Sequence, residues 1–183
     1  MRFELFIETP RLILRSWTAA DRAIMELLPV DPGINTFCPP GQYAYKGETE
    51  LQAKLKARLL RYQDSGLGKF IIELKETREF IGLCGVEPFA LRDETIYELA
   101  YRLRMPYWSK GYGTEASSAM LDYVFNQLDL TEVHAFAVRE NKASINIIQK
   151  LGFVFREELL HSGIPHQLFR LERAAWLKRK VQD

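Results

Sequence analysis

The spacing of apolar residues predicts a strand followed by a helix in the middle of the chain. Residues 96–103 are rich in β-branched, aromatic and apolar side chains, and the Met-Pro pair at 105–106 ends this strand because proline has no N–H for a ladder. Gly111 and Gly113 follow in a loop. From Ala116 onward, small or apolar residues recur with the period of a helix that buries one face, at Ala119, Met120, Tyr123, Val124 and Leu128. The loop should therefore end on a helix N-terminus.

The same patterns predict the remaining elements. Before the central strand they indicate a strand over 3–17 interrupted near Pro10, a helix over 19–28 that Thr18 could cap, an irregular segment over 29–45, a helix over 48–62, and an antiparallel hairpin of strands at 70–74 and 80–86. After the central helix they indicate a buried strand over 133–138, a helix capped by Asn141 and closed by Gly152, a strand pair at 153–160 and 166–171 around a turn at 162–165, and a basic, solvated helix over 173–180. We expect an α/β (α+β) fold in a single domain over residues 1–183, with a mixed sheet of about seven strands and helices on both faces.

The glycine loop has the features of an anion site. The first turn of a helix leaves backbone N–H groups unpaired and carries roughly half a positive charge. Gly111 and Gly113 lack the Cβ atoms that would hold a phosphate away from these amides, and Lys110 adds a full charge. Neither the P-loop pattern nor the third glycine of the dinucleotide fingerprint is present. A phosphate or pyrophosphate site is expected, with an ordinary strand-to-helix turn as the alternative.

Three blocks resemble one family. The segment WSKGYGTEA at 108–116 resembles the acetyl-CoA pyrophosphate loop of the GNAT acyltransferases, in particular the branch of ribosomal-protein N-terminal acetyltransferases. TPRLILR at 9–15 resembles the first strand of this branch, and NKAS at 141–144 with KLGF at 150–153 resembles its second cofactor segment. The order and spacing agree over nearly the whole chain. Trp108 departs from the Gln or Arg of the wider family, and Ala100 from a glycine common in the branch.

The resemblance implies a GNAT fold whose sheet splays between its fourth and fifth strands. In that family the pantetheine arm of acetyl-CoA fills the opening and bonds to the central strand, here near Tyr101 and Leu103. Asn141 is expected to hold the same arm, and Lys150, with Lys142, to approach the 3′-phosphate. The pyrophosphate is expected on Ser109, Lys110, Gly111, Tyr112, Gly113 and Thr114.

The implied activity is N-acetyl transfer from acetyl-CoA to a primary amine by direct attack in a ternary complex. Glu98 is the candidate base, because desolvation in an otherwise apolar strand raises the proton affinity of a carboxylate. The alternative is an outward-facing or ion-paired glutamate. Ser144, one turn after Asn141, is the candidate donor to the departing thiolate, or else it makes a local bond in its helix.

Composition and charge argue against a nucleic-acid-binding protein and a membrane protein. The 183 residues include 25 Lys and Arg against 24 Asp and Glu, so no global field points to nucleic acid or an anionic membrane. The apolar runs are shorter than the ~18 residues of a membrane span, which with the polar N-terminus favours a cytoplasmic protein. Cys38 and Cys84 lack CxxC spacing and are expected as reduced, buried thiols that are not nucleophiles, with a disulfide or a metal site as the alternatives.

The acceptor is left open between a protein N-terminus and a small-molecule amine, and the assembly between a monomer and a homodimer. The aromatic residues of the 29–45 segment either pack against the body or line the acceptor pocket, and both can hold. His161 and His166 flank the last hairpin and are possible acceptor contacts, whereas His134 is expected as a satisfied core residue; together the histidines have no metal-ligand spacing. The competing class is a non-catalytic acyl-CoA-binding sensor or scaffold, which would need the glycine loop but not Glu98 and Ser144.

Overall fold

The computed structural model describes residues 4–161 and 163–181, without the side chains of residues 62–64. Its strands are β1 (Phe6–Glu8), β2 (Leu12–Arg15), β3 (Gly68–Leu74), β4 (Phe80–Leu91), β5 (Glu94–Leu103), β6 (Glu132–Val138), β7 (Val154–His161) and β8 (Ile164–Glu172). Its helices are α1 (Arg22–Leu27), α2 (Pro32–Asn35), α3 (Gly47–Ser65), α4 (Tyr112–Asn126), α5 (Lys142–Lys150) and α6 (Arg173–Lys180), with a 3-10 turn at Met105–Tyr107. Three predicted positions lie outside the described residues: Phe3 in the first strand, Ser162 in the last turn and the Tyr62 side chain.

The strands form a single mixed sheet in the order β1-β2-β3-β4-β5-β6-β8-β7. The predicted mixed α/β fold is confirmed, but the sheet has eight strands instead of about seven. The difference arises because the chain reverses around Pro10, so that β1 and β2 pair antiparallel with Phe6 opposite Arg15. Thr9 Oγ1 accepts from Leu12 N at 2.9 Å, which closes this turn. Proline has no N–H to continue a strand, and its fixed φ suits a turn.

The central strand β5 is bonded along one edge and open along part of the other. It pairs with β4 over its whole length, and Arg104 N continues that ladder to Ile81 O at 2.9 Å. On its other side, within the described residues, β5 shares a single register pair with the parallel strand β6, Glu98 opposite His134. The opening beyond this pair lies between the strands that count as fourth and fifth when β1 and β2 are taken as one. It is the splay that the resemblance implies.

The register of β4 and β5 separates the side chains of β5 onto two faces. Residues directly opposite each other share a face, so Glu98 lies on the face of Glu87, its partner on β4. Tyr101 lies on the other face, against which α4 packs. The helical stripe predicted for α4 is confirmed by fully buried Ala116, Met120 and Val124 and nearly buried Tyr123. Helices α3 and α4 therefore enclose the sheet from opposite sides.

The start of α1 differs from the prediction because an ion pair between Arg15 and Asp21 organises the chain before it. Asp21 Oδ2 accepts from Thr18 N at 2.7 Å and from Thr18 Oγ1 at 2.9 Å, and its carboxylate also pairs with Arg15. Residues 18–21 consequently form a turn, and α1 begins at Arg22 without Thr18 as its cap. The segment expected to be irregular contains α2, which Asp31 caps by accepting from Ile34 N at 3.1 Å.

Some elements are longer than predicted, and the last helix is more buried than predicted. Helix α4 begins at Tyr112 instead of near Ala116, and β4 continues to Leu91, five residues beyond the predicted end. The C-terminal helix is not simply solvated, because Trp176 is buried and its Nε1 donates to Asp122 Oδ1 at 2.9 Å. No helix in the described part of the chain is long and apolar enough to cross a membrane.

Alternate backbone amides of β5 donate to β4, so we predict that protection from hydrogen exchange alternates along this strand. Ala100 and Arg102 donate into the β4 ladder, whereas the amides of Tyr101 and Leu103 point into the opening. In the free protein, the first pair should exchange at least about a hundredfold more slowly than the second, because ladder bonds of a core strand break only on opening. Residue-resolved exchange by NMR measures this, and equal protection of all four amides would contradict the open edge.

Candidate active site

A carboxylate on α4 braces the glycine loop against the first turn of the chain. Glu115 accepts from Thr9 Oγ1 at 2.6 Å, from Arg11 N at 2.9 Å and from Arg11 Nε at 2.7 Å. Arg11 Nη1 also donates to Lys110 O at 2.9 Å. Burial alone would raise the pKa of Glu115, but the hydrogen bonds from Thr9 and Arg11 hold it below its usual value. The β1–β2 turn thus fixes both the loop and the start of α4.

Gly111 shapes the helix N-terminus that this brace holds. It is the N-cap of α4, with φ of 82° in the left-handed region that favours glycine, and makes no side-chain cap. The amides from Gly111 to Thr114 have no partners within their helix, so the turn offers donors to an anion. A Cβ on Gly111 would also lie 3.2 Å from Arg11 Nη2.

Gly113 also has a packing role that the sequence did not predict. It is buried in the first turn of α4, and a Cβ there would lie 3.1 Å from Ile147 Cδ1 and 3.3 Å from Tyr101 Cε2. The missing side chain therefore lets α4 approach β5 and α5 closely. Its role in clearing space for a phosphate stays a prediction.

The two lysines predicted to contact the cofactor phosphates, Lys110 and Lys150, lie on different elements. Lys110 is exposed in the loop, with Nζ 5.7 Å from the centre of the Tyr107 ring, and the Arg11 guanidinium stacks 4.5 Å over Tyr112. Lys150 is exposed in the last turn of α5, about 12 Å along the helix axis from its first residue. Its contact with a 3′-phosphate stays a prediction.

The open edge of β5 presents the backbone groups that were expected to bind the cofactor. Trp108 Nε1 donates to Leu103 O at 2.7 Å, and Arg102 Nη1 donates to Tyr101 O at 2.9 Å. Since N–H and C=O of one strand residue point to the same side, the amides of Tyr101 and Leu103 also face the opening. Trp108, the departure from the wider family, thereby fixes the end of this edge.

Across the opening, Asn141 and Ser144 begin helix α5. Asn141 Oδ1 accepts from Ser144 N at 3.0 Å, which confirms the predicted cap. Ser144 Oγ also shares a hydrogen bond of 2.9 Å with Tyr101 Oη. Burial raises the pKa of Tyr101 to about 12, against the opposing effect of the Ser144 hydrogen bond, so the phenol stays protonated at neutral pH. The hydroxyl of Tyr101 was not predicted, because an aromatic residue inside a strand is typical of core.

Glu98 and Ser144 line the same pocket, which has a volume of about 240 Å³. Asn141 and Ala100 also border it. The segment before α3 and the last hairpin contribute Phe37, Pro39, Gln42, His161 and His166. Within the aromatic segment, Phe37 lines the pocket and Tyr43 is buried against the body. That the pocket receives the acceptor stays a prediction.

The surroundings of Glu98 raise the proton affinity of its carboxylate. Its side chain is half-buried, and burial raises its pKa above the usual value, partly offset by the charges of Lys69 and Arg102. Lys69 is itself paired with Glu87 at 3.0 Å. Among the ion pairs of residues 4–161 and 163–181, none includes Glu98, so the ion-paired alternative is not supported. A desolvated carboxylate that is not neutralised holds a proton more strongly than one in water.

Neither the cysteines nor His134 line the pocket that contains Glu98 and Ser144. Both cysteines are free thiols, but the expected burial holds only for Cys84, because Cys38 is half-buried. Burial raises the pKa of Cys84 to about 12, which keeps it protonated at neutral pH. His134 is buried as expected, and burial lowers its pKa. The prediction of a satisfied histidine was wrong for Nδ1, which has no hydrogen-bond partner among the described residues. The same residues contain no group of three His, Cys, Asp or Glu side chains that could hold a metal ion.

Comparison with known proteins agrees with this geometry. The sequence model of the acetyltransferase (GNAT) domain matches residues 11–154, and the chain belongs to this family. The uncharacterized N-acetyltransferase YoaA of Bacillus subtilis is 27% identical over 165 residues, covering 87% of this chain and 91% of YoaA. The protein is accordingly an N-acetyltransferase, and its family generally uses acetyl-CoA.

Two solved structures share the fold. Ribosomal-protein-S5-alanine acetyltransferase from Vibrio fischeri has a TM-score of 0.74 at 18% identity, covering 94% of this chain and 98% of that one. Mutant forms of the spermidine/spermine N-acetyltransferase SpeG from Vibrio cholerae have a TM-score of 0.72 at 17% identity, covering 94% and 99%. Their names describe different acceptors on one architecture.

The loop geometry predicts that Gly111→Val weakens acetyl-CoA binding at least about tenfold, equivalent to ~1.4 kcal/mol. A valine would strain the left-handed backbone, press on Arg11 and place methyl groups beside the amides. Calorimetric titration of acetyl-CoA measures the change. Gly47→Val is the matched control, because Gly47 has φ of 70° with no atom within 4 Å of its would-be Cβ. Unchanged affinity in a folded Gly111→Val variant would place the pyrophosphate elsewhere.

Proposed function

We propose that the protein acetylates a primary amine, of a small molecule or a protein N-terminus, by direct attack within a ternary complex with acetyl-CoA. The observation that carries the proposal is that Glu98 and Ser144 line the same pocket. Glu98 comes from β5 and Ser144 from the start of α5, on the two sides of the splay. An amine that enters this pocket reaches the base and the opening together.

The residues around the opening fit acetyl-CoA. When bound, it supplies a thioester whose carbonyl carbon reacts with the amine. We assign its pyrophosphate to the amides from Ser109 to Thr114 with Lys110, and its pantetheine arm to the backbone of Tyr101 and Leu103. Two observations support this assignment: the first turn of α4 has amides without helical partners, and the edge of β5 is unpaired. Asn141 borders the same opening, and Lys150 is assigned to the 3′-phosphate.

In this proposal Glu98 takes the proton that the amine must lose. Its pKa, raised by burial, brings it closer to the operating pH, where a general base is most effective. Holding the amine against the thioester contributes up to roughly 7–11 kcal/mol to lowering the barrier, because the reactants have already lost their freedom on binding. Cys84 is not needed, since a thiol with a pKa of about 12 is not a nucleophile at neutral pH.

Ser144 donates a hydrogen bond to the departing thiolate, which then takes its proton from water. Tyr101 supports this role, because its protonated phenol can donate to Ser144 Oγ while the serine hydrogen turns toward the sulfur. Asn141 holds the serine backbone, and the N-terminus of α5 favours negative charge nearby.

We further propose that the chain acts as one domain in the cytoplasm. The family match and a single sheet that includes every described strand support the first point. Two free thiols support the second, because disulfides are rare in that reducing compartment.

Glu98→Gln should lower turnover by about 10²–10⁴, the range for general acid–base groups, with little change in acetyl-CoA affinity. The base must be ionised, so wild-type activity should fall as the pH drops through the raised pKa of Glu98, and the deficit of the variant should shrink at high pH, where more amine is already neutral. Rates of CoA release between pH 5 and pH 10 test both points. Glu94→Gln, exposed at the start of the same strand, is the control. A Glu98→Gln variant near the wild-type rate would make Glu98 structural.

Ser144→Ala should reduce single-turnover acetyl transfer by about threefold to tenfold, matching one neutral hydrogen bond of roughly 0.5–1.5 kcal/mol. Tyr101→Phe should reduce the rate by no more than this factor. The double variant with both substitutions should have the rate of Ser144→Ala, because Tyr101 acts through the serine. Single-turnover rates at saturating acetyl-CoA avoid a limit set by product release. A loss above about a thousandfold with binding intact would make Ser144 a dedicated proton donor, and no loss would assign it to the helix cap alone.

A further inference from the structure

The acceptor pocket contains an arginine that the proposed mechanism does not use. Arg102 lies on the same face of β5 as Glu98, with the two Cα atoms about 13 Å apart along the strand. Its Nε donates to Cys38 Sγ at 3.0 Å and its Nη1 to Tyr101 O at 2.9 Å. Within the described part of the chain, Arg102 has no carboxylate at ion-pair distance and Nη2 makes no hydrogen bond. A cation is thus held in the pocket by neutral groups.

A buried hydroxyl accompanies this arginine. Tyr43 is 6% exposed, and its Oη has no hydrogen-bond partner among the described residues. Tyr43 lines a neighbouring groove of about 320 Å³ that shares Gln42, Lys69 and Glu87 with the acceptor pocket. Buried hydroxyl groups normally have a partner, so the unpaired Oη indicates a place for a ligand atom.

The charge around these two residues is locally unbalanced. The pocket and the groove together are lined by five Lys and Arg side chains and two carboxylates, namely Lys54, Arg58, Arg61, Lys69 and Arg102 against Glu87 and Glu98. The excess lies in the groove, because two cations and two carboxylates line the acceptor pocket itself, and one cation of the groove, Lys54, is paired with Glu50 at 3.3 Å. Such a field attracts anions and repels polycations.

We propose that the acceptor carries a carboxylate as well as its amine, and that Arg102 and Tyr43 Oη bind this carboxylate while the amine lies at Glu98. The inference rests on the proposed acetyl transfer and names the chemical class of its acceptor. A guanidinium and a carboxylate match in geometry and charge, and a phenol hydroxyl donates to the second oxygen. The carboxylate belongs either to a small amino acid or to an acidic side chain near the N-terminus of a peptide. A spermidine-like amine has no such group, and its charges would meet the excess of cations.

Paired acceptors that differ in one charge test the proposal. The small-molecule pair is 4-aminobutanoate and 4-aminobutanamide, whose amines are of similar basicity because three methylene groups separate them from the changed group. The peptide pair is a tetrapeptide with glutamate at its second position and its glutamine analogue. The measured quantity is the ratio of kcat/KM between the members of each pair, from CoA release. We expect one carboxylate to be favoured about tenfold to a hundredfold, the range for a charge-assisted hydrogen bond, and the pair that shows it identifies the source.

Variants connect the preference to the two residues. Arg102→Gln should bring the ratio close to one, and Arg102→Lys, which keeps the charge but loses the planar fork, should give an intermediate ratio. Tyr43→Phe should reduce the ratio severalfold without lowering the melting temperature, because the hydroxyl has no partner among the described residues. Arg92→Gln is the control, since Arg92 pairs with Glu157 at 2.7 Å and does not line the pocket.

Direct binding separates failure of this inference from failure of the proposed function. Calorimetry of each acceptor with the CoA complex should show the same preference for the carboxylate, whether or not acetyl transfer is fast. Equal affinities and equal kcat/KM within both pairs, or a preference that survives Arg102→Gln and Tyr43→Phe in folded variants, would overturn the inference and leave acetyl transfer intact. Absence of CoA release with every amine would overturn the proposed function, while the calorimetric preference would still decide the inference.

Discussion

Backbone N–H and C=O groups inside a protein need hydrogen-bond partners, and β5 finds a strand for only one of its edges near the site. The β4 ladder satisfies Ala100 and Arg102. On the other edge, side chains of Trp108 and Arg102 bond the carbonyls of Leu103 and Tyr101, and the amides face the opening. In our proposal, the amide groups of the pantetheine arm supply the missing partners. The candidate site therefore lies where the pairing of the sheet is interrupted, and the surrounding loops and helices hold the opening in shape.

The glycine loop depends on contacts that are distant in sequence. Glu115 bonds to Thr9 and Arg11, more than 100 residues earlier, and those bonds join the β1–β2 turn to the first turn of α4. Together with the left-handed Gly111, they fix where the unpaired amides point. On the opposite side of the opening, the cap from Asn141 and the bond between Ser144 and Tyr101 fix the start of α5. Both ends of the opening are thus set by hydrogen bonds between elements.

The local patterns in the sequence were sufficient for most of the elements that surround the candidate site. Periodicity and turn residues identified β5, the buried stripe of α4 and the Asn141 cap, because each depends on neighbours within a few residues. Predictions were incomplete where tertiary contacts decide the structure. Asp21 pairs with Arg15 instead of entering a helix. Gly113 is small so that α4 can approach Tyr101.

The polar groups that complete the pocket were equally hidden from the sequence. The Tyr101 hydroxyl and Arg102 were not predicted to take part, because an aromatic residue or an arginine inside a strand is typical of the core or the surface, and only the neighbouring elements bring these groups to the site. The resemblance to the GNAT family supplied the splay and the cofactor, which no pattern of spacing contains.

The central claim is that the open edge of β5 and the first turn of α4 bind one molecule of CoA together. Titration of unlabelled CoA into ¹⁵N-labelled protein, followed by NMR, tests it most directly. The account predicts that the amides of Tyr101, Leu103 and the 111–114 turn shift along one binding curve with a shared Kd, and that Ala100 and Arg102 move less. A response confined to the turn, with Tyr101 and Leu103 unchanged at saturation, would contradict it.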